Sequence, residues 1–526
     1  MNLNPSSPKS RLTTHAVSGL ILCAIFVAAA SLRYFFASEP LWIDELHTAW
    51  AIDSDLHETA DRAGQGNQTP LYFWLLWTGQ SIFGFSHSLL RLPSVVCGLL
   101  AIGIACWLNW RFSRCWTAIL VVASILAFDS FQLYYSSEAR PYALMQLFAT
   151  FQLGCVACFS CTPNNKNWLA YLLISFSTFA LLLTHITGIW LVAAEFIFFA
   201  SIWRRSPQSK LAVAVFSGVL ATLLNYTLLF LAIEHRSDWW VVDNSSLYFW
   251  QMGIAVLAQW LVPVAGWLIT AWSHNEKRSL ESFTPISKPI STVAIQHRRI
   301  YMILVLCAAI VPIIVVASLH LLGIAPLASV RYAFVAMIPI TLLCGMLIAH
   351  ISDRWIRTAV AVIVLVSTSV FNPVVMNVVD TGKLANMRSE NWSEAAKQLE
   401  DASLVFLLPN LVEDTRLKTS TGGKKKLNRF NNYLRFCLTS PATPELSAKV
   451  CPVPTLADER WTKMHLELFQ KHQHGWIVMR ASRELATEIC HELTTFAAAN
   501  DINLELEVIE QERNDVRLAK FETNVQ

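Results

Sequence analysis

About eleven apolar runs, each near the length of a membrane-crossing helix, follow one another between Ala16 and Met376, with short polar or basic turns between them. A crossing helix needs roughly 20 apolar residues. The first run covers 16–36; the second opens at Arg91-Leu92-Pro93 and ends near Trp110; the third covers 116–134 and the fourth 142–161. The fifth and sixth meet in a tight turn at Thr184-His185-Ile186-Thr187-Gly188. The rest lie near 211–233, 249–272, 300–322, 331–350 and 358–376. The stretch from Thr69 to Gly84 is short for a crossing and rich in Tyr and Trp, so it is expected to lie in the membrane interface.

The pattern changes at Asp380, where the chain turns polar. Runs at 404–408 and 475–479 read as buried strands, and 392–399, 458–473 and 484–500 as helices. The expected organisation is therefore a polytopic α-helical membrane module over 1–379, with its first outer loop at 37–88, followed by a soluble α/β domain over 380–526. A basic segment, Lys424-Lys425-Lys426, interrupts that domain.

Basic residues orient the spans. Lys9 and Arg11 precede the first run, Arg111 and Arg114 follow the second, Lys166 the fourth, and Arg204-Arg205 the sixth. Lys277, Arg278, Lys288, Arg298 and Arg299 follow the eighth, and Arg354 and Arg357 the tenth. Positive charge marks the cytoplasmic side, so the N-terminus is expected inside, and Asp44-Glu45 and the C-terminal domain outside. The first run is long for a signal peptide and no small-residue cleavage site follows it, so it reads as an uncleaved helix in a plasma or inner membrane.

Composition agrees. Of 526 residues 54% are hydrophobic and 15% charged, against about a quarter charged in soluble domains. The net charge of +3 adds little, and no basic patch interleaved with aromatics points to nucleic acid. Most of the twelve cysteines lie in or beside apolar runs, where they behave as small hydrophobes. Cys155, Cys158 and Cys161 recur every three residues but have no fourth metal ligand nearby. Cys437, Cys451 and Cys490 in the polar region leave room for one disulfide and one free thiol.

The chemistry centres on Leu41-Trp42-Ile43-Asp44-Glu45, just beyond the first span. On a regular helix neighbours point about 100° apart, so the two carboxylates either split their roles or sit at a helix end. With the topology above, Asp44, Glu45, Arg91, Glu138, Arg140, His185, His235, Arg236 and Arg331 all fall on the outer face. Snorkelling and loop solvation account for any one of them. Acids together with several arginines also suit a general base beside a phosphate.

In order, Asp44-Glu45, Thr69-Pro70-Leu71-Tyr72, Arg91-Leu92-Pro93, Glu138-Ala139-Arg140-Pro141-Tyr142 and Arg331-Tyr332 resemble the membrane glycosyltransferases of the GT-C type, the group of protein mannosyltransferases and aminoarabinose transferases. The likeness covers residues 15–375, and the chain has Gln68-Thr69-Pro70 where that family usually has His-Pro-Pro. The resemblance implies a sugar carried on a polyprenyl phosphate and transferred with inversion to a lipid, glycan or protein acceptor. It implies Asp44 as general base, with Glu45 a lesser candidate, and Arg331 and Arg140 at the leaving phosphate. Glu138 is expected to orient Arg140 or to help bind acceptor or metal; Arg91, Tyr142, His235, Arg236 and Tyr332 are expected to bind substrate. Some relatives use a divalent cation, for which His185 and His235 are the candidate ligands. The rival readings are a multi-span transporter of a lipid or polar solute, a ligase or polymerase of lipid-linked glycans, and a non-catalytic scaffold.

Overall fold

The computed structural model describes residues 8–66, 68–161, 168–202, 211–224, 292–322, 330–370, 372–382, 402–410, 449–453, 461–509 and 515–524, pieces within 261–268 and 384–399, and residues 436 and 438. In chain order the helices begin with α1 (Pro8–Ala37), α2 (Ile43–Ile52), α3 (Leu56–Gln65), α4 (Leu71–Phe83), α5 (His87–Ser113), α6 (Trp116–Phe128), α7 (Ser130–Ser136) and α8 (Tyr142–Ser160). They continue with α9 (Trp168–Thr184), α10 (Ile189–Ile202), α11 (Leu211–Leu224), α12 (Thr292–Leu321), α13 (Met337–His350), α14 (Arg354–Val370), α15 (Pro373–Thr381), α16 (Trp392–Gln398), α17 (Lys463–Lys471) and α18 (Arg483–Ala498). Among the described residues of the C-terminal region are five strands: β1 (Val405–Leu408), β2 (Val450–Pro452), β3 (His474–Arg480), β4 (Asn503–Ile509) and β5 (Val516–Asn524).

The chain forms two compact units. One comprises 1–37, 63–233 and 242–385; the other comprises 38–62, 234–241 and 386–526.

The first unit is an apolar helical bundle. Five helices are long and apolar enough to cross a membrane, or seven if each of two bent pairs is one span, among the described residues. Ten of the eleven runs expected from the sequence coincide with described helices: α1, α5, the α6–α7 pair, α8, α9, α10, α11, α12, α13 and the α14–α15 pair. The end of the seventh, 225–233, lies outside the described residues, and the eighth, at 249–272, and most of the basic loop after it lie largely outside them. Apolar side chains such as Leu20, Val27, Trp107 and Leu172 are exposed on the bundle, an arrangement that a hydrocarbon surrounding makes favourable. Inside, α5 packs on α8 and α6, α8 on α9, and α12 on α10 and α13, burying Leu108, Val122, Met145, Leu153, Leu304 and Leu342.

The 59° bend between α6 and α7 has a local cause. A helix end leaves carbonyls without intrahelical partners. Those of Leu126 and Ala127 are taken by the buried Arg33 guanidinium, at 3.0 and 3.1 Å. Asp129 then accepts from the Gln132 N–H at 2.9 Å and starts α7 in a new direction.

The second unit is built on a five-stranded sheet of order β2-β1-β3-β5-β4. β1 pairs parallel with β2 and β3, while β5 pairs antiparallel with β3 and β4. Every residue of β1 is buried, as a central parallel strand requires. Phe406, Ile477, Met479 and Phe521 form its core with Trp461, Phe469, Ile489 and Leu493. Cys490 is a buried free thiol in the same core, whereas Cys437 and the segment at 424–426 lie outside the described residues.

Candidate active site

Asp44 and Glu45 are the second and third residues of α2, where negative charge is favourable beside the positive end of the helix dipole. The residue at the cap position is Trp42, whose indole has no acceptor for the free N–H groups of the first turn. Carboxylates take over that task. The Trp42 N–H donates to Glu45 Oε2 at 3.4 Å, and the Ile43 N–H donates to Glu390 Oε2 at 3.0 Å.

Glu390 is a hub. Its Oε2 also accepts from Trp392 Nε1 at 2.8 Å, and its Oε1 accepts from Arg480 Nε at 2.7 Å. Beside it, Arg388 lies between two acids, with Nη1 3.3 Å from Glu39 Oε2 and Nε 3.7 Å from Glu45 Oε2. The Met387 N–H completes the link by donating to Glu39 Oε1 at 2.8 Å. The side chains of Glu39, Glu45 and Arg388 are at most 3% exposed. Buried charges persist only when paired, and here three carboxylates face two guanidinium groups and a helix N-terminus.

The two adjacent acids therefore part company. Glu45 is wholly buried, whereas Asp44 remains partly exposed. At the other end of α2, Arg62 donates to the carbonyls of Trp50 at 2.7 Å and Asp53 at 3.2 Å, and its guanidinium lies 4.7 Å from the Trp50 ring centroid. Both ends of α2 are thus held by side chains from elsewhere in the chain.

In the first unit a second set of the expected residues gathers at one end of the bundle. Arg91, in the second turn of α5 and fully buried, donates to the Ala37 carbonyl at the end of α1, 3.1 Å away. Tyr72 on α4 shares a 2.7 Å hydrogen bond with Ser94 on α5, and Ser94 donates to the Arg140 carbonyl at 3.4 Å. Glu138 and Arg140, between α7 and α8, are both buried. Tyr142 opens α8 and packs against His185 at 5.2 Å and Phe334 at 6.3 Å between ring centroids. Arg331 and Tyr332 precede Phe334 by one turn, with the Arg331 guanidinium 5.0 Å from the Tyr332 ring centroid.

His185 is directed to its own turn: Nδ1 lies 2.7 Å from Thr187 Oγ1 and accepts from the Thr187 N–H at 3.2 Å. Among the described residues no three His, Cys, Asp or Glu side chains stand together as a metal would need. His235 and Arg236 lie outside the described residues.

Sequence reasoning passed over Glu39, Arg388, Glu390 and Arg480, which sit among ordinary soluble-domain charges with no periodicity to mark them. It also passed over Glu195, fully buried on α10, which accepts from Gln152 Nε2 on α8 at 2.5 Å. A carboxyl inside an apolar run was the available signal.

No family model and no curated protein matches the chain. Among solved structures it is similar to ArnT from Cupriavidus metallidurans bound to undecaprenyl phosphate, with 14% identity over 98% of each chain and a TM-score of 0.49. It is also similar to the Archaeoglobus fulgidus oligosaccharyltransferase in complex with zinc and sulfate, with 12% identity, 79% of this chain and 57% of that one covered, and a TM-score of 0.45. AglB from the same organism, in complex with an inhibitory peptide and a dolichol-phosphate, matches at 12% identity and a TM-score of 0.42 over 72% of this chain and 58% of its own.

Proposed function

We propose that this membrane protein is an inverting glycosyltransferase that moves a sugar from a polyprenyl-phosphate carrier to a lipid, glycan or protein acceptor at the outer face of the membrane. The observation that carries the reading is the difference in burial at the start of α2: Glu45 is fully buried beside Arg388, and its neighbour Asp44 is partly exposed in the first turn of the same helix. The in-order motifs that resemble the GT-C glycosyltransferases support it, as does the gathering of Arg91, Glu138, Arg140, Tyr142 and the Arg331–Tyr332 turn at one end of the bundle. Undecaprenyl phosphate and dolichol phosphate, named in two of the similar structures, are carriers of the class meant here.

The chemistry is one displacement. The acceptor oxygen or nitrogen attacks the anomeric carbon, its proton passes to the Asp44 carboxylate, and the bond from that carbon to the phosphate oxygen breaks. The leaving group is the polyprenyl phosphate, whose growing charge Arg140 and Arg331 are suited to stabilise. Tyr142 is buried among Tyr135, His185 and Phe334, at 4.7, 5.2 and 6.3 Å between ring centroids, and holds the start of α8, next to Arg140, in place.

The test is incubation of membranes containing the protein with a pool of polyprenyl-phosphate-linked hexoses and pentoses, read by mass spectrometry. Consumption of one donor with release of polyprenyl phosphate supports the reading; no consumption of any donor above control membranes overturns it. A transporter is the second reading, favoured by the Glu195–Gln152 pair within the bundle, because buried ionisable groups in spans mark pathways for ions and solutes.

A further inference from the structure

We propose that Arg388 and Glu390, from the segment just before the C-terminal sheet, are positioning residues that hold Asp44 in its working geometry and charge state. The proposal rests on the glycosyltransferase reading above and concerns contacts inside the second unit alone.

Three observations carry it. First, the cap residue Trp42 offers no acceptor and Glu45 takes only the Trp42 N–H, while the N–H that immediately precedes Asp44 in the chain is bound by Glu390, a residue 347 positions away. Glu390 is itself fixed from two further sides, by Trp392 Nε1 and Arg480 Nε. The start of α2 therefore takes its position from the C-terminal region. Second, Asp44 sits next in sequence to Glu45, and an unpaired carboxylate there would oppose ionisation of Asp44. Arg388 supplies the compensating charge, at 3.7 Å from Glu45 and 3.3 Å from Glu39. Third, the arrangement is costly unless it does something: a network of five buried or half-buried charges gives little net stability over apolar packing, while it fixes geometry tightly.

The consequence is specific. Glu390 acts on the orientation of the first turn and Arg388 on the electrostatics around Asp44. Losing either one lowers the rate of proton transfer without removing any group that binds the donor. A base displaced by a fraction of the hydrogen-bond length loses most of its effect. The C-terminal domain then belongs to the catalytic apparatus through these two residues, not as a passive cap.

The experiment uses the full-length protein in detergent with undecaprenyl-phosphate-linked sugars. Wild type is compared with Asp44→Asn, Glu390→Ala, Glu390→Gln, Arg388→Met and Arg388→Lys, with amide hydrogen exchange over 42–48 measured alongside turnover. The expected result for Glu390→Ala and Arg388→Met is a fall in kcat of about ten-fold or more, with donor KM changed by less than about two-fold. The acid limb of the pH–kcat profile moves to higher pH in Arg388→Met, because Glu45 is then uncompensated beside Asp44. Glu390→Gln, which keeps an acceptor, and Arg388→Lys, which keeps the charge, recover part of the rate. Exchange at 42–48 rises in Glu390→Ala.

If Asp44→Asn abolishes turnover while Arg388→Met and Glu390→Ala keep wild-type kcat and pH profile, the positioning role is wrong and the transferase reading stands. If Asp44→Asn is as active as wild type, the transferase mechanism itself is wrong. Unchanged exchange at 42–48 in both Glu390→Ala and Arg388→Met overturns the clamp whatever the activity.

Discussion

The carboxylate of Glu390 accepts the backbone N–H of Ile43 at 3.0 Å, so the first turn of α2 is capped by a residue from the far end of the chain. The same carboxylate also accepts from Trp392 and Arg480. Removing it strands three donors at once. Glu390→Ala is expected to cost on the order of 3 kcal/mol, as loss of one partner of a largely buried ion pair does. Thermal or denaturant unfolding of the full-length protein, followed for the C-terminal unit, checks this; Glu390→Gln is expected to lose clearly less.

His465 makes the second unit sensitive to acid. Its side chain is buried on α17, and Nδ1 accepts the Thr462 N–H at 3.0 Å, an arrangement that requires a neutral ring. Burial pushes its pKa down from 6.5 to about 4. A group whose folded pKa is depressed contributes stability above its unfolded pKa, and that contribution is lost as pH falls toward the folded value. Stability of this unit is therefore expected to drop by about 2 kcal/mol between pH 7 and pH 5. His465→Gln should flatten that dependence, and a denaturation series at several pH values measures it.

Gly475 occupies a place where no side chain fits. It pairs with Phe521 across β3 and β5, and a Cβ there would lie 2.6 Å from the Leu404 carbonyl oxygen and 2.6 Å from the Phe521 ring. The carbonyl belongs to the backbone just before β1 and has no room to yield. Gly475→Ala is expected to destabilise the sheet by about 1–3 kcal/mol, readable as a lower unfolding midpoint with an unchanged slope.

Much of the bundle was legible because apolar length is written directly into the chain. Ten of the expected runs coincide with helices, and the soluble region turned out to be α/β, with strands and helices where alternation and apolar periodicity indicated them. The break at Asp129 was not legible: Arg33, almost a hundred residues earlier, takes the carbonyls that end α6, and hydropathy carries no sign of that. β4 and β5 were not read, although the alternation Leu504-Glu505-Leu506-Glu507-Val508 was a signal for β4, and β2 was not because three residues carry no pattern. At the site, the sequence marked Asp44 and Glu45 as a pair but held no information on which one is buried. That distinction comes from Arg388 and Glu390, which reach Glu39 and Ile43 across more than 340 positions of chain.

The most direct measurement is single-turnover transfer from an undecaprenyl-phosphate sugar by purified wild type, Asp44→Asn and Glu45→Gln, with folding verified for each. The proposed mechanism predicts that Asp44→Asn loses transfer by about 100-fold or more, as removal of a general base does, while still binding donor. It predicts that Glu45→Gln, whose carboxylate is buried against Arg388, keeps far more activity and loses mainly stability. Wild-type rates in Asp44→Asn, or an equal and complete loss in a well-folded Glu45→Gln alone, would contradict the assignment of Asp44 as the base.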